Sequence, residues 1–157
     1  METTHFKDIQ TEFMERAQRV VYCNMATVDL KGRPRSRIIH AIWNDEPIGW
    51  VITAPGSPKL RHLANNPHVS LAYIGQMEKP IYVEAIASWV ESDDEKWRIW
   101  EFIKSVPEPM GFDPGPSYGD INHKYFGLLC FKPWRIELAQ LHAESLIWRP
   151  AGAGKDG

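Results

Sequence analysis

The chain has 157 residues, a formal net charge of -2 and 43% hydrophobic residues, which suggests a single domain at 1–150 followed by a disordered Gly/Ala-rich tail at 151–157. The charge balance argues against a general nucleic-acid binder, and no apolar run reaches the ~20 residues that a membrane helix needs. The two cysteines form no CxxC pair and predict reduced thiols in a cytoplasmic protein.

The first half of the chain has the pattern of a helix followed by an antiparallel meander. Apolar residues recur at helical spacing across 6–20. A strand at 21–30 then ends in a Gly-containing turn. Strands at 34–43 and 48–53 follow, separated by the turn 44–47, and they are too close together for parallel crossovers.

The second half combines short helices with further strands. Ser57 and Pro58 suit the N-cap and the first position of a helix at 59–66. Ser92 and Glu95 form a capping box for a second helix. Further strands are predicted at 68–74, 80–90, 125–141 and 145–148.

This order of elements predicts a mostly-β fold with flanking helices. Hairpin links between most strands favour a barrel of six antiparallel strands with helices packed outside. The segment 106–123 is rich in proline and glycine and is predicted to be a long loop that lines or covers a binding site.

Arginine alternates along the strand that begins at residue 34. Arg33, Arg35 and Arg37 are expected on one strand face, because side chains alternate across a strand. Three guanidinium groups repel one another unless an anion lies between them, and arginine binds phosphate in bidentate fashion. The alternative is a solvated edge strand protected by charge.

The helix that starts after Ser57 has an unusual charge distribution. Lys59, Arg61 and His62 lie in or near its first turn, where the helix dipole disfavours cations. A phosphate would relieve this conflict by accepting bonds from backbone N–H groups, Ser57 and Lys59. The alternative is an ordinary surface helix.

The two cationic segments are expected to meet. Thr53 ends the strand directly before the helix, so Arg37 and Lys59 can surround one phosphate, with Thr53 and Ser57 as hydroxyl donors. The chain contains neither GxGxxG nor GxxxxGK[ST], so neither a Rossmann site nor a P-loop is indicated.

At this point the sequence resembles a known family. Residues 32–39, 53–59 and 65–71 together look like the cofactor-binding half of the pyridoxamine 5'-phosphate oxidase-like family of FMN-binding split-barrel proteins, which includes general stress proteins. The resemblance covers residues 23–90. It implies a homodimer of split β-barrels with FMN in a cleft between the subunits and a small-molecule substrate, with no nucleic-acid or membrane partner.

The resemblance also assigns roles to residues. Arg37 matches the family arginine that holds the FMN phosphate, Lys59 and Ser57 match a lysine and a serine of the phosphate segment, and Thr53 matches a nearby threonine. The backbone at 38–39 matches positions that run along the flavin. The predicted cofactor-binding residues are Arg35, Arg37, Ile38, Ile39, Thr53, Ser57 and Lys59, and neither a catalytic residue nor a metal site is predicted.

Several positions depart from the oxidase pattern. Ile42, Pro58 and Pro80 replace a lysine, an arginine and a glutamine, and the C-terminal Arg-Leu-His signature is missing. These departures argue against pyridoxamine 5'-phosphate oxidase activity and leave the cofactor open among FMN, the deazaflavin F420 and haem. The expected function is a flavin-dependent oxidoreductase. The alternatives are an F420-dependent reductase, a non-catalytic carrier or stress protein, and a cofactor-free interaction domain.

Overall fold

The computed structural model describes residues 1–153, which form one large β-sheet with helices packed against it. The elements are β1 (Glu2–Thr3), α1 (Lys7–Val20), β2 (Tyr22–Val28), β3 (Pro34–His40), β4 (Ile42–Trp43), β5 (Gly49–Ile52), α2 (Pro58–Asn65), β6 (His68–Tyr73), β7 (Ile81–Trp89), α3 (Asp93–Ser105), α4 (Gly115–Tyr118), β8 (Leu128–Leu138) and β9 (Leu146–Trp148). None of the described helices is long and apolar enough to cross a membrane. Part of the predicted tail, residues 154–157, lies outside the described residues.

The predicted helices and strands are largely confirmed, with small shifts at their ends. The exception is the strand predicted at 34–43, which is interrupted at Ala41 and forms β3 and β4. Two short elements, β1 and α4, were not predicted. Both are too short to show the repeated hydrophobic pattern that identifies strands and helices.

The mostly-β class is confirmed, but the prediction of six strands is wrong. The sheet has nine strands, with the order β1-β9-β8-β7-β6-β2-β3, and β4 and β5 join it through β8. Seven strand segments are predicted along the sequence, and the two further strands come from the break at Ala41 and from β1, whose two residues pair in parallel with the distant β9. Such pairing leaves no local signal in the sequence.

Two pairings position the candidate site. β2 and β3 form the predicted hairpin, in which Met25 lies opposite Arg37 and Thr27 opposite Arg35. The predicted pairing of the next two strands holds only for β4 and β5, whereas β5 pairs along its whole length with β8. The end of β5, which leads to Thr53, is therefore fixed beside β8.

Helix α1 closes one side of the core as its apolar spacing predicts. Ile9, Phe13 and Ala17 are at most 1% exposed, and the Phe13 ring packs edge-on against Trp43 at a centroid distance of 5.3 Å. Burying a large apolar side chain of this kind stabilises a fold by roughly 1.5–3 kcal/mol. The core thus gives β3 and β5 a rigid support.

Candidate cofactor pocket

A cleft lies where the end of β3, the end of β5, the start of α2 and the loop after α3 approach one another. We call it the cationic pocket. It is lined by Arg37, Ile38, Ile39, His40, Val51, Ile52, Thr53, Lys59, Phe112 and Tyr118. The structure therefore brings together five of the seven predicted residues as lining groups, and Ser57 contacts one of them.

Arg37 lies within β3, opposite Met25 of β2, and is only partly exposed. Its Nη1 donates hydrogen bonds to Thr27 Oγ1 at 2.8 Å and to the Met25 carbonyl oxygen at 3.3 Å. Burial, followed by the charge of Arg35, lowers the pKa of Arg37 below its ordinary value. These two contacts fix one edge of the guanidinium group.

The start of α2 supplies the second cation. Ser57 is the N-cap residue and Pro58 follows it in the first turn, as predicted, but no side chain caps the helix. The Ser57 hydroxyl instead accepts a hydrogen bond from Lys59 Nζ at 2.8 Å. Burial, and then the charge of Arg37, lowers the pKa of Lys59.

No carboxylate among residues 1–153 balances the charge of Arg37 and Lys59 in the pocket, since none forms an ion pair with either side chain. The first turn of α2 also contains no acidic residue. Two neighbouring cations beside a helix N-terminus, of which Arg37 lowers the pKa of Lys59, form a site suited to an anion.

The other two arginines of the predicted strand face have a carboxylate partner. Asp29 is 6% exposed, accepts a hydrogen bond from Arg33 Nε at 2.9 Å, and lies 3.9 Å from Arg35 Nη1. Hydrogen bonds from the backbone N–H groups of Arg33 and Lys31, with the charge of Arg33, lower the pKa of Asp29 to about 2. Arg35 therefore lies beside Asp29 and does not line the pocket.

Thr53 forms part of the wall of the pocket because of an unusually close packing. Its backbone N–H donates to the Gly127 carbonyl oxygen at 2.9 Å, and the residue is 7% exposed. A Cβ atom at position 127 would lie 2.1 Å from the Trp89 ring and 2.8 Å from the Thr53 carbonyl oxygen. Only glycine at position 127 allows Thr53 and Trp89 to pack this closely.

Part of the pocket lining is aromatic. The segment 106–123, predicted as a long loop, contains α4 and contributes Phe112 and Tyr118 to the lining. His40 Nε2 lies 2.7 Å from the Met110 carbonyl oxygen, and the His40 ring packs against Phe112 at 5.2 Å. Since a carbonyl oxygen only accepts, Nε2 carries the proton. Burial lowers the pKa of His40 despite this bond, which favours the neutral ring.

Sequence reasoning missed several of these residues. Strand alternation places His40 on the face opposite Arg35 and Arg37, and it nevertheless lines the pocket at the end of β3. No local pattern indicated Phe112 or Tyr118, which are placed by the fold of the loop. Two further contacts were also missed: Thr27 accepts a hydrogen bond from Arg37, and His62 in turn contacts the Thr27 hydroxyl.

A larger cleft of about 720 Å³ lies between α1 and α3, but its chemistry is different. Its lining includes Asp45 and Glu46 together with Arg98. Carboxylates in this cleft disfavour an anionic ligand, so the cationic pocket is the better candidate site.

The fold and the pocket define the class as a mostly-β protein with a cationic pocket between strand ends and a helix N-terminus. The family model for pyridoxamine 5'-phosphate oxidase matches residues 9–111, and the chain belongs to this family. No curated protein matches the chain by sequence.

Several solved structures share the fold. A protein from Clostridium acetobutylicum related to general stress protein 26 has a TM-score of 0.72 at 12% identity, covering 94% of this chain and 99% of its own. A pyridoxamine 5'-phosphate oxidase-related, FMN-binding protein from Nostoc punctiforme has a TM-score of 0.64 at 16% identity, covering 87% and 86%. HutZ, a haem storage protein from Vibrio cholerae, has a TM-score of 0.60 at 24% identity, covering 83% and 94%.

Proposed function

We propose that the cationic pocket binds FMN and that the protein is a flavin-dependent oxidoreductase acting on a small organic substrate. The observation that carries the proposal is the unbalanced positive charge of Arg37 and Lys59 at the start of α2. A phosphate group would neutralise both cations and accept bonds from the first backbone N–H groups of the helix.

The remaining lining residues suit the rest of FMN. Ile38 and Ile39 lead from Arg37 toward His40, so their backbone would run beside the ring system. Phe112 and Tyr118 add apolar surface to the same pocket lining. When bound, FMN supplies the transfer of a hydride or electrons, and the protein's part is to hold and orient it. Neutral His40 keeps the loop at Met110 attached to β3 and so maintains the aromatic part of the lining.

We also propose that the protein is a homodimer with the cofactor between the subunits. Two large apolar side chains on the outer face of the β2–β3 hairpin, beside the pocket, support this: Tyr22 is 58% exposed and Ile38 is 67% exposed. Neighbouring apolar side chains left open to water often mark an interaction surface. Analytical ultracentrifugation of the protein with bound cofactor tests the dimer.

A second candidate function is a carrier that holds its cofactor without turnover. The similarity in fold to HutZ favours haem as the cargo in that case, and F420 is a further alternative to FMN. Mass spectrometry of the small molecule that co-purifies with the native protein distinguishes FMN, F420 and haem. Reduction of the bound flavin by a nicotinamide nucleotide, with reoxidation by an acceptor, distinguishes an enzyme from a carrier.

The phosphate contact makes a sharp prediction. Arg37→Ala or Lys59→Ala should weaken FMN binding by about 10- to 150-fold, which corresponds to roughly 1.5–3 kcal/mol for a lost charged hydrogen bond. Riboflavin, which has no phosphate, should bind almost as it does to the wild type. Isothermal titration calorimetry with both ligands measures the difference.

Arg61→Ala is the matched control, because Arg61 lies on the same helix, is exposed and does not line the pocket. It should leave the preference for FMN over riboflavin unchanged. Equal losses for FMN and riboflavin in Arg37→Ala and Lys59→Ala would show that the phosphate is not bound here.

A further inference from the structure

A buried hydrogen-bonded chain lies behind the cationic pocket. Arg37 Nη1 donates to Thr27 Oγ1 at 2.8 Å, and the same oxygen lies 3.0 Å from His62 Nδ1. Thr27 is 1% exposed, so water does not compete for its hydroxyl group. These two hydrogen bonds connect β3, which carries Arg37, to α2, which carries Lys59, through Thr27 of β2.

The groups themselves fix the direction of the first hydrogen bond. A guanidinium group only donates, so Thr27 accepts from Arg37. In the second bond, the His62 tautomer with its ring proton on Nε2 has a lone pair on Nδ1 that accepts the Thr27 hydroxyl proton. With this tautomer, Thr27 donates to His62 while it accepts from Arg37.

This arrangement leaves two nitrogens of Arg37 without a hydrogen-bond partner among residues 1–153. Nη1 is held by Thr27 and by the Met25 carbonyl oxygen, while Nε and Nη2 are the two nitrogens without a partner in this part of the chain. Because Nη1 is already held, the Arg37 guanidinium group loses less conformational freedom when its other nitrogens bind an anion.

We propose that His62 is a positioning residue, which fixes the Thr27 hydroxyl and, through it, holds Arg37 ready to bind the phosphate of the cofactor. The inference rests on the proposed function of the pocket. In this role, the His62 side chain acts through Thr27 and Arg37 and does not itself contact the ligand. The inference also gives a role to His62, the histidine of α2 that contacts Thr27 of β2.

The test compares variants that remove the Nδ1 acceptor with variants that keep it. His62→Leu retains bulk without an acceptor, whereas His62→Asn places an amide oxygen at the position of Nδ1. His62→Leu should weaken FMN binding by about 3- to 10-fold, as expected for the loss of one neutral hydrogen bond, with riboflavin unchanged. His62→Asn should restore most of the FMN affinity, which a role in bulk packing alone would not predict.

Thr27 provides an independent pair of variants. Thr27→Val removes the hydroxyl from a side chain of the same shape and should reproduce His62→Leu. Thr27→Ser keeps the hydroxyl and should bind FMN nearly as the wild type does. If His62→Leu fails to fold, as judged by circular dichroism, His62→Ala, which also removes the acceptor, takes its place in the comparison with His62→Asn.

A double-mutant cycle connects His62 to Arg37. In the Arg37→Ala background, His62→Leu should cause no further loss of FMN affinity, because the group that it positions is gone. Additive losses would overturn the inference, as would wild-type FMN affinity in His62→Leu or in Thr27→Val. If instead Arg37→Ala itself does not distinguish FMN from riboflavin, the proposed function of the pocket fails first.

Discussion

Arg35 and Arg37 lie two residues apart on the same face of β3, but their electrostatic surroundings are opposite. Arg35 is exposed and lies beside Asp29, which also binds Arg33 through a hydrogen bond of 2.9 Å. Arg37 is partly buried, and its nearest charged neighbours are cations. Arginine content alone would therefore not identify the site. Among residues 1–153, Arg37 has no carboxylate partner, whereas Arg33 and Arg35 share Asp29. This difference, rather than the number of cations, distinguishes the cationic pocket from the rim, the group formed by Asp29, Arg33 and Arg35.

The largest expected effect comes from removing the charge at the rim. Asp29→Asn should lower the melting temperature at neutral pH, because the carboxylate binds two backbone N–H groups and Arg33. The pKa of Asp29 is lowered from 3.8 to about 2 in the fold, so its contribution to stability is full above pH 4 and is lost as the pH falls toward 2. The stability difference between wild type and Asp29→Asn should shrink over that range in thermal scans.

Glu95→Gln is the matched control, since Glu95 pairs with Arg98 on the exposed surface of α3. A pair of that kind contributes little to stability. A difference for Asp29→Asn that stays constant from pH 5 to pH 2 would contradict the assignment of a lowered pKa to Asp29.

An effect of opposite sign is expected in the pocket. Lys59→Met keeps the apolar part of the side chain and removes a cation from the first turn of α2 and from the vicinity of Arg37. Without cofactor, the variant should be more stable by about 0.3–1 kcal/mol, a rise in melting temperature of roughly 1–4 °C. Differential scanning calorimetry of the cofactor-free protein measures it. Arg61→Met should change the melting temperature less, and a lower melting temperature for Lys59→Met would break the comparison.

The smallest effect is expected at Arg35. Arg35→Ala should change FMN affinity by less than about threefold, because this side chain lies next to Asp29 and a screened, exposed charge contributes little. Calorimetry with FMN, run beside Arg37→Ala, checks it. If Arg35→Ala weakened FMN as much as Arg37→Ala does, the phosphate would lie farther along β3 than proposed, and the rim and pocket would form one site.

Residue alternation and turn chemistry were enough to predict much of the pocket. Arg37 and Lys59 come together because β3 is followed directly by β4, β4 pairs with β5, and β5 leads through Thr53 into α2. The strand pattern and the helix start that predict the two residues are both local. Thr27 and His62 could not be found in this way. Their contact depends on the register of β2 against β3 and on how α2 packs on β2, and both are set by the whole core. The same holds for the nine strands, because β1 pairs with β9 from the far end of the chain.

Gly127 sets a limit for anyone who would reshape this site. Any larger residue there would have to displace the Trp89 indole or the Thr53 main chain, so redesign of ligand preference has no freedom at that position. Phe112 and Tyr118 lie in the segment 106–123, and their side chains are only partly buried. Libraries aimed at a new ligand are better built on those two positions, with the glycine left untouched.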